Sequence, residues 1–279
     1  MASISLIVFT ILVVNISCSM CFLRMASTGL ATWYGPEDGA GAACGWEDDV
    51  HDPPFSAMIA AGNSNIFLNG KGCGHCFQAF SNKIQIQCSR KPYCSGKPIS
   101  VTISDQCPGA CNNIAYHFDL SGHAFGMMAN RGQEHSLRQL GQVDIEFKRV
   151  PCNYGATKIA FKVSQKTNRY WFATAIEYTN GDGVLSRVEV APGGTQTFSS
   201  MDNIWGAVWK KDINDSFKGP LSFKLTSADG KTLVASNAIP ANYSPGRKYS
   251  SNVNFLISRL VSDPKAKTKV TLKDLDIYV

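Results

Sequence analysis

Cysteine is absent from residues 153–279 of this chain, although ten cysteines occur before that point. Two of them, Cys18 and Cys21, lie in or next to an N-terminal apolar segment, and the other eight lie between Cys44 and Cys152. An even number of cysteines in an exported protein favours disulfide bonds. The contrast predicts a cysteine-rich first domain and a cysteine-free second domain, and 279 residues are enough for each to bury a core.

The sequence also has little that indicates a metal or nucleic-acid site. Cys73 and Cys76 form a CxxC, to which His75 and His117 could add zinc ligands, but no second CxxC or HxxxH follows at zinc-finger spacing. We therefore expect no metal and no cofactor, with zinc as the alternative. The net charge of +6 comes from scattered lysines and arginines, which predicts no nucleic-acid partner. An acidic polysaccharide is the anionic partner that suits a basic secreted protein.

Long apolar runs are missing except at the N-terminus, which reads MASISLIVFTILVVNISCSMCF. Small residues near its end, Ser17 and Ser19, and the following Arg24 resemble a secretory signal peptide, predicted over residues 1–25. No lysine or arginine precedes the run, which leaves a membrane anchor as the alternative. The run is shorter than the roughly 20 apolar residues of a spanning helix, so we expect a secreted, extracellular protein without a permanent membrane span.

Short strands are predicted throughout the rest of the chain. Residues 26–152 alternate apolar stretches such as KIQIQC and PISVTIS with glycine-rich turns, and GHAFGMMANRG predicts a helix or turn between strands. After a linker at 153–157, six segments at regular spacing over residues 158–255 predict a small β-sandwich. The short linker predicts that the two domains pack side by side. Lysine-rich residues 256–279 are interpreted as an atypical tail, with an added strand pair as the alternative.

Seven motifs in both predicted domains occur in a recognisable order: TWYG (32–35), GAACG (41–45), GKGCGHCF (70–77), SGKPISVTISDQCPG (95–109), HFDLSGHAFG (117–126), NRYWFATAIEYTNGDG (168–183) and WGAVWK (205–210). Together they resemble the expansin family, in particular the β-expansin branch that includes grass-pollen allergens. The resemblance covers about residues 28–255. It implies an all-β fold, with a six-stranded double-psi β-barrel similar to family-45 glycoside hydrolases followed by an immunoglobulin-like, carbohydrate-binding β-sandwich.

The resemblance also implies a disulfide pattern, which the sequence alone does not fix because eight cysteines allow 105 pairings. The implied pairs are Cys44–Cys73, Cys76–Cys152 and Cys88–Cys94, and they leave Cys107–Cys111 as a local fourth pair.

A polar groove on the barrel is implied at Thr32, Tyr34, Asp105, His117 and Asp119. Asp119 corresponds to the general acid of the related hydrolases, which also need a base carboxylate about 6.5 to 9.5 Å away. At the matching place TWYG offers no acid, so we expect no enzyme activity. Asp105 is a structural acid or, alternatively, the base. GAGAACG also lacks the aspartate-containing insert that is usual in β-expansins, and the nearby acids are Glu37, Asp38, Asp48 and Asp49.

Aromatic rings suit the apolar faces of sugars. The resemblance places polysaccharide-binding rings at Trp33, Tyr34, Trp171 and Trp205, whereas strand periodicity favours a core position for Tyr178, Phe161 and Phe223 and the resemblance leaves Trp209 in the core. Tyr170 and Trp171 are adjacent, so one is expected to point into the core and one outward. Two sequons, Asn214 and Asn242, are candidate glycosylation sites.

Three functions remain open at this point. The first is a monomeric, non-hydrolytic protein that loosens plant cell walls by binding cellulose, matrix glucan or acidic xylan. The second is a carbohydrate-binding protein without loosening activity, and the third is a family-45-type endoglucanase. Function follows from the site and not from the fold alone, so the geometry around Asp119 decides between them.

Overall fold

The computed structural model describes residues 27–35, 43–81 and 92–257, with only the backbone of residues 80 and 81. Several predictions fall outside these residues: the signal peptide, the KIQIQC strand, the acids Glu37 and Asp38, the Cys88–Cys94 pair and the tail beyond residue 257. No helix in the described ranges is both long enough and apolar enough to cross a membrane.

Six strands of the first domain close into a barrel, with the order β1-β5-β2-β4-β3-β6. The order mixes parallel pairs, such as β1 with β5 and β2 with β4, with antiparallel ones. Side chains that alternate along the strands fill the interior, among them Phe118 and Leu120 in β5. The predicted six-stranded barrel is confirmed. The strands are β1 (Ser27–Tyr34), β2 (Ile59–Gly62), β3 (Cys76–Ser81), β4 (Ile99–Gln106), β5 (His117–Ser121) and β6 (Gln142–Val150).

Short helices connect the barrel strands. Ser121 caps one of them, because its hydroxyl accepts a hydrogen bond from the Ala124 amide at 2.9 Å. This helix begins the segment GHAFGMMANRG, for which the sequence predicted either a helix or a turn. The α-helices are α1 (Ser64–Phe67), α2 (Gly122–Met127) and α3 (Glu134–Arg138), and 3-10 turns cover Asp48–Val50, Leu68–Gly70 and Gly109–Asn113.

The second domain is a sandwich of two sheets, with the orders β10-β9-β13-β14 and β11-β12-β8-β7-β15. All six predicted segments contain strands, but WGAVWKKD spans a turn between β11 and β12 and is not one strand. The strands are β7 (Ala160–Val163), β8 (Trp171–Glu177), β9 (Leu185–Ala191), β10 (Ser199–Ser200), β11 (Asp202–Trp205), β12 (Val208–Asp212), β13 (Leu221–Ser227), β14 (Thr232–Ile239) and β15 (Lys248–Ser250).

Aromatic side chains form much of the sandwich core. Phe161 and Phe223 are fully buried and stack with ring centroids 4.3 Å apart, and Phe172 lies beside them. Tyr178 is buried as well, but in the cluster that contains the barrel core. The predicted core positions of Phe161, Phe223 and Tyr178 are confirmed.

Three disulfides lie within the described residues: Cys44–Cys73, Cys76–Cys152 and Cys107–Cys111. They agree with the pairs that the resemblance implied. Both cysteines of the CxxC are therefore oxidised, and neither offers the thiolate that a zinc site needs. The zinc alternative is wrong for this motif.

The barrel and the sandwich are in direct contact. The indole of Trp46 donates to the carbonyl of Ile176 at 3.0 Å, and the amide of Ala207 donates to the carbonyl of Cys44 at 3.1 Å. Three buried residues of the sandwich share one hydrophobic cluster with the barrel core: Ala160, Ala175 and Tyr178. A surface that crosses from one domain to the other is thus held in place by packing as well as by the short linker.

Candidate functional site

Three of the five predicted groove residues, Thr32, Asp119 and Asp105, lie in one row across four adjacent barrel strands. Thr32 is opposite Asp119, Asp119 is opposite Ala61, and Ala61 is opposite Asp105. Phe118 and Leu120, the neighbours of Asp119, are fully buried, so the Asp119 carboxylate points to the outside of the barrel. Two strand spacings separate the backbones of Asp119 and Asp105, which is about 10 Å.

A hydrogen-bonded chain links three of these side chains. The Thr32 hydroxyl donates to Asp119 Oδ1 at 2.5 Å, and its oxygen lies 2.8 Å from His117 Nε2. A hydroxyl has a single proton, so Nε2 of His117 must be the donor when Thr32 donates to Asp119. The arrangement fits a neutral imidazole with its proton on Nε2. The sequence indicated all three residues but not the hydrogen bonds that link them. These bonds depend on the parallel register of β1 and β5, which brings the side chains together.

Burial is the main influence on the pKa of His117. It lowers the pKa of the imidazole, whereas the nearby Asp119 carboxylate raises it by a smaller amount. The net result is a pKa below the usual value for histidine. The disulfide sulfur of Cys107 lies 3.9 Å from the second carboxylate oxygen of Asp119, where it adds apolar contact and no donor. One oxygen of Asp119 is therefore held by Thr32, and a sulfur lies beside the other.

Asp105 is held by the main chain. Its Oδ1 accepts hydrogen bonds from the amides of Gln106 at 2.8 Å and Ala43 at 3.1 Å. Burial raises the pKa of Asp105, and these two amides lower it in part. The contact with Ala43 fixes the segment that leads to Cys44, and this is the geometry expected for the structural role.

Only one of the two predicted rings at the end of β1 shares the face of Thr32. Tyr34 is two residues from Thr32 and therefore lies on the same side of the strand. Trp33 is on the other side, where it packs against the barrel core and its indole donates to the carbonyl of Arg138 at 2.9 Å. The structure thus places Tyr34, and not Trp33, beside the groove.

On the sandwich, Trp171 and Trp205 lie on one face of the five-stranded sheet. Ala173 of β8 is opposite Lys210 of β12, and Trp205 of β11 is opposite Val208 of β12. Because side chains alternate, Trp171, Lys210 and Trp205 share this face. Trp205 is 45% exposed and Trp171 is half-buried.

The hairpin formed by β11 and β12 explains why Trp205 and Trp209 have different environments. Trp205 ends β11 and Trp209 lies in β12, where it is buried in the sandwich core. This agrees with the prediction that Trp205 faces outward and Trp209 belongs to the core.

The expectation that one of Tyr170 and Trp171 points into the core is wrong. Strand β8 begins at Trp171, so Tyr170 precedes the strand and escapes its alternation. Tyr170 is 63% exposed, and the guanidinium of Arg169 covers its ring at 4.9 Å. The inward neighbour of Trp171 is Phe172.

Trp205 also touches the barrel, a contact that sequence reasoning missed. Its ring lies 5.8 Å from that of Phe67, which is fully buried, and Gly70 lies beside it. Nothing in the sequence indicates this contact, because it depends on how the domains pack. The aromatic face of the sandwich therefore continues directly onto the barrel.

Within the described residues, the candidate site lies at the surface, with Trp205 exposed and Thr32, Asp119 and Trp171 partly exposed. Cavities of about 380 Å³ and 500 Å³ are lined by other residues, the larger beside Asn214. Both candidate glycosylation sites, Asn214 and Asn242, are exposed, and Asn214 Oδ1 accepts a hydrogen bond from the Ser216 amide at 3.0 Å. An open row of polar and aromatic groups suits a polymer better than a small enclosed ligand.

Comparisons with known proteins agree with this arrangement. A family model of the expansin C-terminal domain matches residues 159–240, and a model described as lytic transglycolase matches residues 59–147. Expansin-B4 of Arabidopsis thaliana is 42% identical over 252 residues, which are 86% of this chain and 94% of that protein. Expansin-B3 of Oryza sativa subsp. japonica is 43% identical over 230 residues, 81% of this chain and 82% of that protein.

Solved structures with the same two-domain fold are also known. An expansin of Clavibacter michiganensis, solved without ligand, superimposes with a TM-score of 0.59 and 22% identity over 83% of this chain and 98% of that one. A mutant of the same protein in complex with cellohexaose gives a TM-score of 0.60 at 22% identity, with the same coverage. At this identity the likeness shows the fold alone.

Proposed function

The chain belongs to the expansin family, and we propose that it is a β-expansin: a secreted, monomeric, non-hydrolytic protein that binds plant cell-wall polysaccharides and loosens the contacts between them. The names of the relatives, which are B-type expansins from two plants, support the branch. Membership of this family supports the extracellular cell wall as the place of action.

One observation carries the proposal: Trp205 contacts Phe67, so the aromatic face of the sandwich and the barrel form one surface. A sugar chain stacks its apolar C–H faces on Trp171 and Trp205, because this removes apolar area from water. Further along the same polysaccharide, the sugar hydroxyls contact the polar row that contains Thr32 and Asp119. Binding there competes with the hydrogen bonds that hold neighbouring polysaccharides together.

The position of Asp105 supports a protein that does not cut its ligand. A general base must be ionised and must reach a water molecule on the far side of the sugar. One oxygen of Asp105 already accepts two main-chain hydrogen bonds, which fix the orientation of its carboxyl. Among the described residues, Asp105 is thus poorly suited to serve as the base for Asp119, which favours binding over hydrolysis.

The ligand that we propose is a β-glucan or a xylan of the wall. The Clavibacter michiganensis protein, which shares this fold, was solved in complex with cellohexaose, and this supports cellulose or a matrix glucan. The net charge of +6 supports an acidic xylan as a further ligand.

The test is the extension of heat-killed wall strips under constant load at acidic pH, with released reducing ends measured in the same bath. We expect extension without sugar release, and a loss of extension for Asp119→Asn. Trp205→Ala should weaken binding to wall polysaccharide roughly tenfold, since one stacked ring contributes about 1–3 kcal/mol by analogy with base stacking. Tyr170→Ala is the matched control, because that ring is exposed but lies outside the row.

Other results would identify other functions. Wall binding without extension would indicate a carbohydrate-binding protein, and sugar release in proportion to the added protein would indicate an endoglucanase with a base that the groove geometry does not reveal.

A further inference from the structure

A group of charged side chains lies where the barrel meets the sandwich, and none of them belongs to the predicted groove. Lys162 Nζ lies 3.1 Å from Glu47 Oε2 and 2.9 Å from Asp49 Oδ2. Lys248 Nζ lies 3.1 Å from Asp49 Oδ1 and 3.5 Å from Glu177 Oε2. Glu47 and Asp49 come from the barrel, and the other three come from the sandwich, so these contacts bridge the domains.

Glu177 is the most deeply placed member of the group. It ends β8, and its side chain is 0% exposed. Both of its oxygens are buried and accept no hydrogen bond from the described residues, and the nearest ammonium, that of Lys248, also contacts Asp49. A buried carboxylate that lacks hydrogen-bond donors and lies beside a second carboxylate is costly to ionise, so the protonated form of Glu177 is favoured.

The members of the group differ in exposure. The side chain of Glu47 is 67% exposed, so water screens its charge, whereas the side chain of Glu177 is fully buried. Ionisation is therefore most costly at Glu177.

Burial decides which carboxyl holds the proton. It raises the pKa of Glu177 to about 8, Asp49 raises it further, and Lys248 lowers it in part. Burial also acts to raise the pKa of Asp49, but the interactions with Lys162, Glu177 and Lys248 outweigh it, and the net change is a lowering. Glu177 is therefore the acid of the pair and Asp49 the carboxylate.

One further titratable group faces Glu177. The Tyr178 hydroxyl accepts a hydrogen bond from Lys248 at 3.0 Å. Burial, followed by the charge of Glu177, raises the pKa of this phenol, and hydrogen bonding to Lys248 lowers it in part. The phenol stays neutral and does not compete for the proton.

We propose that Glu177 carries a proton that stabilises the contact between the barrel and the sandwich, and that the loss of this proton at alkaline pH weakens the interface. Above that pH the carboxylates of Glu177 and Asp49 lie as like charges on the two sides of the domain boundary, with Lys248 in contact with both. The inference is independent of what the protein binds.

The sign of the pH dependence follows from Glu177. In the folded protein its pKa is raised from 4.5 to about 8, so the folded chain keeps a proton that the unfolded chain releases above pH 4.5. This contribution to stability is complete below pH 4.5 and is lost as the pH rises towards 8. The pKa of Asp49 is lowered from 3.8, so its opposing contribution changes only at pH values below this window.

The first test is the melting temperature of the full chain between pH 4.5 and 9. For the wild type we expect a fall of several degrees across this range from the Glu177 contribution. Glu177→Gln keeps a neutral side chain of the same length at every pH, so this component of the fall should vanish. Asp215→Asn is the matched control, because it removes a carboxylate from an exposed pair with Arg169, and it should keep the wild-type profile.

The second test reads the interface directly by NMR. The indole N–H of Trp46 donates to the carbonyl of Ile176, the residue before Glu177, and Trp46→Phe identifies its signal. We expect this signal to shift on alkaline titration in the wild type and to stay constant in Glu177→Gln. The carboxyl carbon of Glu177 should titrate well above pH 4.5, and this wild-type measurement decides even if the variant does not fold. Titration near 4.5, or a Glu177→Gln melting profile parallel to the wild type, would overturn the proposal.

Discussion

At the scale of single residues, the groove depends on how His117 and Asp119 influence each other. Burial lowers the pKa of His117, and the Asp119 carboxylate raises it in part. Asp119→Asn removes the negative charge and keeps a side-chain oxygen that accepts from Thr32. We therefore expect the pKa of His117 to fall further below 6.5 in this variant. The measurement is an NMR titration of the histidine ring protons.

His123 supplies the control for this titration. Its exposed ring on α2 lies outside the polar row, so the substitution should leave its NMR signals unchanged. An unchanged or higher pKa of His117 in Asp119→Asn would show that the carboxylate does not act on the imidazole as the structure indicates.

The sequence indicated the groove residues better than it indicated the residues between the barrel and the sandwich. Asp119, His117 and Thr32 stand in motifs that resemble a known family, so each was found before its neighbours were known. Glu177 also stands in such a motif, but the resemblance gave it no role, and in an isolated sandwich it would lie on the same outer face of β8 as Trp171. Only the packed barrel buries it, and that contact is not local in sequence.

At the scale of elements, the β11–β12 hairpin positions Trp205, and Gly206 forms its turn. Gly206 has φ +50°, and a Cβ there would lie 2.9 Å from Cys44 Cα and 3.0 Å from the Cys44 carbonyl. Gly206→Ala should therefore both strain the backbone and push the hairpin off the barrel. We expect a loss of unfolding free energy of about 2–5 kcal/mol, together with weaker polysaccharide binding through the displaced Trp205.

Gly230 allows the two effects to be separated. It has φ +85° in the turn between β13 and β14, and a Cβ there would meet nothing within 4 Å. Gly230→Ala should lose only the backbone contribution of about 1–2 kcal/mol and leave binding unchanged. Equal losses in urea unfolding for both variants would mean that the close approach to Cys44 is not important.

Strands were more predictable than the turns between them. The alternation in LSRVEVAP and LSFKLTS predicted β9 and β13, because one face of each must meet the core. WGAVWKKD carries one glycine and no polar turn residue at the point where the chain reverses, so sequence patterning did not separate β11 from β12. The tight turn is stable there because the barrel lies against it.

At the scale of the whole molecule, Cys76–Cys152 joins the start of β3 to the point where the chain leaves the barrel. The cysteines are 76 positions apart, whereas those of Cys107–Cys111 are 4 apart. In the chain-entropy model, the longer loop contributes about 4.5 kcal/mol and the shorter about 2 kcal/mol to stability. Replacing both cysteines of the long pair by serine should thus lower the unfolding free energy roughly twice as much as the same change in the short pair.

Urea denaturation of the two double variants measures this difference, and the domain junction adds a second reason to expect it. Main-chain hydrogen bonds of 2.8 and 3.0 Å join Cys152 to Gly181 of the sandwich, so the long disulfide also anchors the second domain to β3. Loss of Cys76–Cys152 should free that junction, whereas the short pair closes a local loop of the barrel beside Asp119. Equal destabilisation in both variants would show that loop length and the junction do not determine what these disulfides contribute.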